Sequence, residues 1–146
     1  MSVGRICQRD VDTAGVEESV RCIAERMHQR SVGALVVLNT AKTVVGIVTD
    51  RDLVVRALAA GKDADTTTVT EVMTPAPVAA REETPIESAL SWMREGEYRR
   101  LPVVDDRGSL IGMVTLDDIL RLLAEEFSDI GCLLDRETPR AAAISR

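Results

Sequence analysis

The chain has 146 residues, 45% of them apolar, and a formal net charge of −6. That length fits one compact domain, or two small subdomains sharing a core, and the apolar share is enough for a globular interior. An acidic chain without clustered Lys and Arg speaks against nucleic-acid binding, where phosphate contacts dominate affinity. A small phosphate ligand needs only a local basic pocket and is not excluded.

In chain order, residues 11–13 read as a short entry strand. Residues 17–30 read as a helix, with Val20, Ile23, Ala24 and Met27 on one face at helical spacing. Ser31 and Gly33 break it. Ala34–Leu38 and Val44–Thr49 are two β-branched runs joined by Asn39-Thr40-Ala41-Lys42, a hairpin pattern. Residues 50–60 form a second helix, stopped by Gly61. The polar stretch 62–68 is the expected linker. Residues 78–80 read as a second entry strand. Thr84 is expected to cap a helix with Pro85 at its first position and Ile86, Ala89, Leu90 and Met93 inside, ended by Gly96. Residues 101–104 and 110–115 pair across Asp105-Asp106-Arg107-Gly108, and residues 116–127 close the series as a helix. The tail past Ser128 is partly apolar (Ile130, Leu133, Leu134), and residues 138–146 are expected to fray.

The series repeats itself. Val45-Gly46-Ile47-Val48-Thr49-Asp50-Arg51-Asp52-Leu53 returns in the second half as Ile111-Gly112-Met113-Val114-Thr115-Leu116-Asp117-Asp118-Ile119. The register holds upstream without a gap: Met27 answers Met93, Leu35 answers Leu101, and Val37 answers Val103. Two copies of one unit, each too short for a comfortable core, must pack on each other, and the cleft between them is the natural place for a ligand. The expected organisation is a first repeat over 1–61, a linker over 62–68, a second repeat over 69–128, and a short helix and tail over 129–146.

The only aromatics are Trp92, Tyr98 and Phe127, so the core falls to Val, Leu, Ile, Ala and Met. Cys7, Cys22 and Cys132 are odd in number and far apart, which suggests neither a disulfide framework nor a Cys-x-x-Cys metal site. Cys22 is expected to be a small buried side chain. No signal pattern is visible, and the apolar runs are strand-length, so a soluble cytoplasmic protein is expected. His28 is the lone histidine, on a polar helix face. With it and scattered cysteines no nucleophile–base pair or metal cluster can be assembled. Gly46 and Gly112, isolated in strands, suggest close backbone approach.

Gly-hydrophobic-Val-Thr-x-x-Asp at a strand-to-helix junction, with Leu101-Pro102-Val103-Val104-Asp105 before it in the second copy, resembles the cystathionine-β-synthase (CBS) domain. Two copies in tandem resemble a CBS pair, or Bateman module, and Val72-Met73-Thr74-Pro75 resembles that family's entry into its second repeat. The resemblance covers roughly residues 3–127. It implies an α/β fold of two β-α-β-β-α repeats about a pseudo-twofold axis.

Thr49 with Asp52, and Thr115 with Asp118, have two readings. Each pair resembles a capping box, which duplication would copy as readily as a site. The same junction also presents a hydroxyl, a carboxylate and free N–H groups to one cleft, and these suit a ribose diol and a phosphate. In CBS pairs this Asp holds the ribose and this Thr lies near ribose or phosphate. Arg99 and Arg100, as residues, are an ordinary solvated pair at a loop edge. The resemblance makes them phosphate contacts. Their counterparts in the first repeat are Gly33 and Ala34, so the two clefts are not expected to bind equally. Thr13 occupies the entry strand, where the family contacts the base. The resemblance therefore implies a non-enzymatic regulatory module that binds an adenine nucleotide (AMP, ADP, ATP or a related adenosyl compound), with no cofactor or metal. It would act on a regulated protein in trans, as a homodimer paired through the helices from Asp50 and Leu116. The alternative is an adaptor of the same fold that has lost its ligand.

Overall fold

The computed structural model describes residues 1–137, so the fraying expected for 138–146 lies outside the described residues. The fold is mixed α/β. A 3₁₀ turn, Val3–Arg5, leads to β1 (Thr13–Gly15), α1 (Val20–Arg30), β2 (Ala34–Leu38), β3 (Val44–Thr49) and α2 (Asp50–Asp52), which runs on as a π-helical segment, Leu53–Leu58. A second 3₁₀ turn, Val69–Glu71, opens the second half. It is followed by β4 (Thr74–Pro75), α3 (Ile86–Gly96), β5 (Arg100–Val104), β6 (Leu110–Thr115) and α4 (Leu116–Glu137).

The hairpin strands keep the bounds the β-branched runs predict, apart from Arg100 joining β5. The helix ends differ. α1 begins at Val20, because the Ser19 hydroxyl accepts the Cys22 N–H at 3.2 Å and fixes the cap there. Thr84 does not cap α3. Its hydroxyl accepts the Arg81 N–H at 2.9 Å, and Pro85, extended at ψ 144°, takes the cap position. Ser31 (φ 53°) and Glu97 (φ 55°), not Gly33 and Gly96, turn the chain out of α1 and α3 in the left-handed region. Ala24 and Cys22 are exposed on α1, so the buried stripe is Val20, Ile23 and Met27 alone. The segment after Asp52 winds wider than an α-helix: the Ala59 N–H donates to the Val54 carbonyl at 2.8 Å, one residue further back than an α-helical bond reaches. α4 continues past Phe127 to Glu137, taking in the apolar residues expected of a tail.

β1 pairs parallel with β2, β2 antiparallel with β3, and β3 antiparallel with β4. The second sheet repeats the order more sparsely. β5 and β6 are antiparallel, Ala80 bridges Val103 in parallel, and Gln8 bridges Met113 antiparallel. Thr43 pairs antiparallel with Ser109, its own counterpart in the repeat register, which places a pseudo-twofold axis between them.

Each core borrows from the other half. Leu35, Val37, Val48 and Ile23 of the first repeat are closed by Val69, Val72 and Met73. Leu101, Val103, Val114 and Ile119 of the second are closed by Val3, with Ile6 and Cys7 against them. The two 3₁₀ turns thus change places, each packing on the repeat it does not precede. Ser2 with Pro85, and Ser19 with Thr68, are the same bridge seen from the two halves. The isolated glycines mark where these segments cross the sheets. A Cβ on Gly46 would lie 2.2 Å from Met73 Sδ, and one on Gly112 would lie 2.5 Å from the Gln8 carbonyl oxygen.

Candidate functional site

Between the repeats lies a cavity of about 400 Å³. The end of β3 and the start of α2 supply Thr49, Arg51 and Asp52 to its wall; the second repeat supplies Thr74, Val78, Tyr98, Arg99 and Arg100. The β3–α2 junction is locked by its own side chains. The Asp52 N–H donates to Thr49 Oγ1 at 3.1 Å, and the Thr49 N–H donates to Asp52 Oδ2 at 2.9 Å, a complete capping box. This occupies one carboxylate oxygen. The other, Asp52 Oδ1, has only Arg56 Nε nearby, at 3.7 Å, beyond hydrogen-bond length. Capping and ligand contact are therefore compatible at Asp52, because they use different oxygens.

The opposite wall is cationic. Arg100 opens β5, partly buried, and Arg99 precedes it, exposed and 3.4 Å from Asp117 Oδ1. Exposed pairs of that length hold little energy, so Arg99 can be drawn off Asp117 at small cost. Among the described residues neither Arg100 nor Arg51 forms an ion pair. Asp50 and Glu97 at the rim moderate the positive charge.

Thr115 and Asp118 form the same capping box but a different environment. The Thr115 N–H and Oγ1–H both donate to Asp118 Oδ2, at 2.9 and 2.8 Å. Gln8 Nε2 donates to Asp118 Oδ1 at 3.0 Å, and Asp118 is 8% exposed. The cavity beside it, about 160 Å³, is bounded by Ile6, Gln8, Arg121 and Glu125. Gly33 and Ala34 stand where the other cleft has Arg99 and Arg100.

Thr13 lies apart from both, on a more open groove of about 760 Å³ beside β1. Its carbonyl accepts from Arg26 Nη1 at 2.7 Å; Glu18 in turn pairs with Arg26 and accepts the Gly15 N–H at 2.6 Å. The hydrogen bond from Arg26, together with that from Gly15, holds the Glu18 carboxyl below its ordinary range despite partial burial. At this larger groove Arg26 and Glu18 are engaged with each other and with the Thr13 and Gly15 backbone, whereas the cleft between the repeats presents Arg51 and Arg100 without an ion pair among the described residues. Burial raises the Cys7 thiol against the opposing pull of Arg9, and its sulfur packs against Gly112.

The structure thus brings Thr49, Asp52, Arg99 and Arg100 together, and separates them from Thr115 and Asp118 and from Thr13. Arg51 and Tyr98 join the cleft without having been singled out in the sequence. Arg51 has Asp117 as its counterpart, so repetition gives no hint of it. His28 is exposed. Among the described residues no group of three or more His, Cys, Asp or Glu could hold a metal, and no helix is long and apolar enough to cross a membrane.

The family description "CBS domain" matches residues 3–58 and 69–125. The uncharacterized protein MK0525 of Methanopyrus kandleri is 36% identical over 122 residues, 84% of this chain; the chain spans 62% of that protein's length. The CBS domain pair of protein MJ0100, solved with 5′-methylthioadenosine and S-adenosyl-L-methionine, superposes with a TM-score of 0.76 at 28% identity, covering 86% of this chain and 98% of that one. CBSX2, solved in complex with AMP, superposes with a TM-score of 0.73 at 30% identity, covering 85% and 96%.

Proposed function

The chain belongs to the CBS-domain family, and from that membership we propose that it is a regulatory module binding an adenosine phosphate in the cleft of Thr49, Asp52, Arg99 and Arg100. One observation carries the reading. A carboxylate with one oxygen outside any hydrogen bond, held only by a 3.7 Å ion pair with Arg56, faces an arginine pair across one cavity. A ribose diol donates to such an oxygen, and guanidinium groups make charge-assisted bonds to phosphate. The adenosyl ligands of MJ0100 and the AMP of CBSX2 support the choice of ligand class.

The ligand touches both repeats, so its binding energy favours one relative orientation of the two, and a partner in trans reads that population shift. The module works in the cytoplasm as a homodimer and catalyses no reaction of its own. A thermal-shift panel of AMP, ADP, ATP, NAD and S-adenosylmethionine tests the proposal. Saturation at ~100 times Kd adds about 2.7 kcal/mol, roughly 5–10 °C in Tm for a chain of this size. No shift with any of them at millimolar concentration favours the ligand-free adaptor.

A further inference from the structure

The pseudo-twofold axis creates two clefts from equivalent residues, and the chain has closed one of them. Gln8 and Thr74 are counterparts in the repeat register, each on the segment that crosses the far sheet: Thr74 pairs with Ile47, and Gln8 with Met113. Gln8 is held there by two backbone hydrogen bonds of 2.8 Å, its N–H to the Met113 carbonyl and the Met113 N–H to its own carbonyl. From that fixed point the long Gln side chain spans to Asp118 Oδ1 at 3.0 Å. The shorter Thr74 makes no hydrogen bond to Asp52, whose Oδ1 has only the 3.7 Å ion pair with Arg56.

We infer that Gln8 is a built-in plug that occupies the diol-accepting oxygen of Asp118, so that the chain takes one nucleotide, in the Asp52 cleft alone. The inference rests on the nucleotide reading of that cleft. Two observations agree on it independently. Asp118 has both oxygens engaged and is nearly buried. And the arginine pair is replaced there by Gly33 and Ala34, which offer a phosphate no charge.

Removing the plug without restoring the arginines makes the second cleft a site for an uncharged nucleoside. Adenosine is accordingly the discriminating probe, and calorimetric titration of the full chain reads the stoichiometry. The wild type takes up one equivalent of adenosine and one of AMP, and Asp52→Asn loses both. Gln8→Thr, which gives the second cleft the residue of the first and keeps the backbone pairing, takes up two equivalents of adenosine. Adding Asp118→Asn to Gln8→Thr returns the count to one and places the new equivalent on Asp118. Two equivalents in the wild type, or only one in Gln8→Thr, overturns the plug while leaving the nucleotide reading intact. No uptake of either compound by the wild type overturns both.

Discussion

Asp52 separates support from recognition within a single carboxylate. Asp52→Asn still accepts the Thr49 N–H, so it should cost well under ~1 kcal/mol in urea unfolding while weakening AMP at least about tenfold. Arg99→Ala and Arg100→Ala should weaken AMP more than adenosine, and rising salt should weaken only the phosphate-bearing ligand. Equal losses for AMP and adenosine would take the arginines out of the phosphate site. The two strand glycines differ in what stands over them. Gly112→Ala meets a backbone carbonyl and should cost about 1–3 kcal/mol, whereas Gly46→Ala meets the flexible Met73 side chain and should cost less. Glu18 supplies a pH dependence. Its carboxyl lies below the ordinary value because the folded protein stabilises the anion. That stability is complete above the unfolded value and is lost as pH falls through the folded one. Glu18→Gln should therefore flatten the acid limb of the stability profile, removing on the order of 1 kcal/mol at neutral pH.

At the scale of elements, the strands and the helix faces were legible because each is written in one local periodicity. β2, β3 and β6 end where their apolar runs end, and Val20, Ile23 and Met27 line the interior at helical spacing. The cleft was half legible: Thr49 and Asp52 sit in a phrase that recurs, and Arg99 and Arg100 were pointed to by the family resemblance alone, while Arg51 has no echo in the second copy. Three things were not legible. A repeat register cannot say which copy a segment packs on, so the crossing of the Val3 and Val69 turns left no trace in the spacing. Thr84 looks like a cap by type, but its hydroxyl is taken by Arg81. The widening of the helix after Asp52 has no local periodicity to announce it, and within it Arg56 reaches the Val72 and Met73 carbonyls at 3.2 and 3.0 Å. The crossing is testable. Val3 is fully buried in the second core, so Val3→Ala should cost about 2 kcal/mol in chemical denaturation, as much as Val69→Ala. A loose leader peptide would show no change.

At the scale of the molecule, α4 sorts its leucines. Ile119 is buried and Leu122 packs on the second core, but Leu120, Leu123 and Phe127 are 52%, 43% and 71% exposed, and Val54, Val55 and Leu58 are exposed on the first repeat. An apolar helix face of that extent is normally covered, and the homodimer proposed above would cover it by an isologous pairing of these faces. Light scattering at micromolar concentration should give twice the 15.9 kDa chain mass. Phe127→Glu or Leu58→Glu should return it to the monomer, and an unchanged mass in both would put the interface elsewhere. The exchanged 3₁₀ turns carry a consequence for biosynthesis. A nascent chain that has reached residue 68 holds a first core still lacking Val69, Val72 and Met73, and carries a Val3 turn whose seat has yet to be made. Neither half can therefore mature ahead of the other, and folding waits on contacts such as Val3 with Thr84, far apart in sequence. The same interlock outlasts a cut. A protease nick in the exposed stretch at Thr66 would leave two fragments, each holding a piece of the other's interior, that still migrate as one particle until they are denatured.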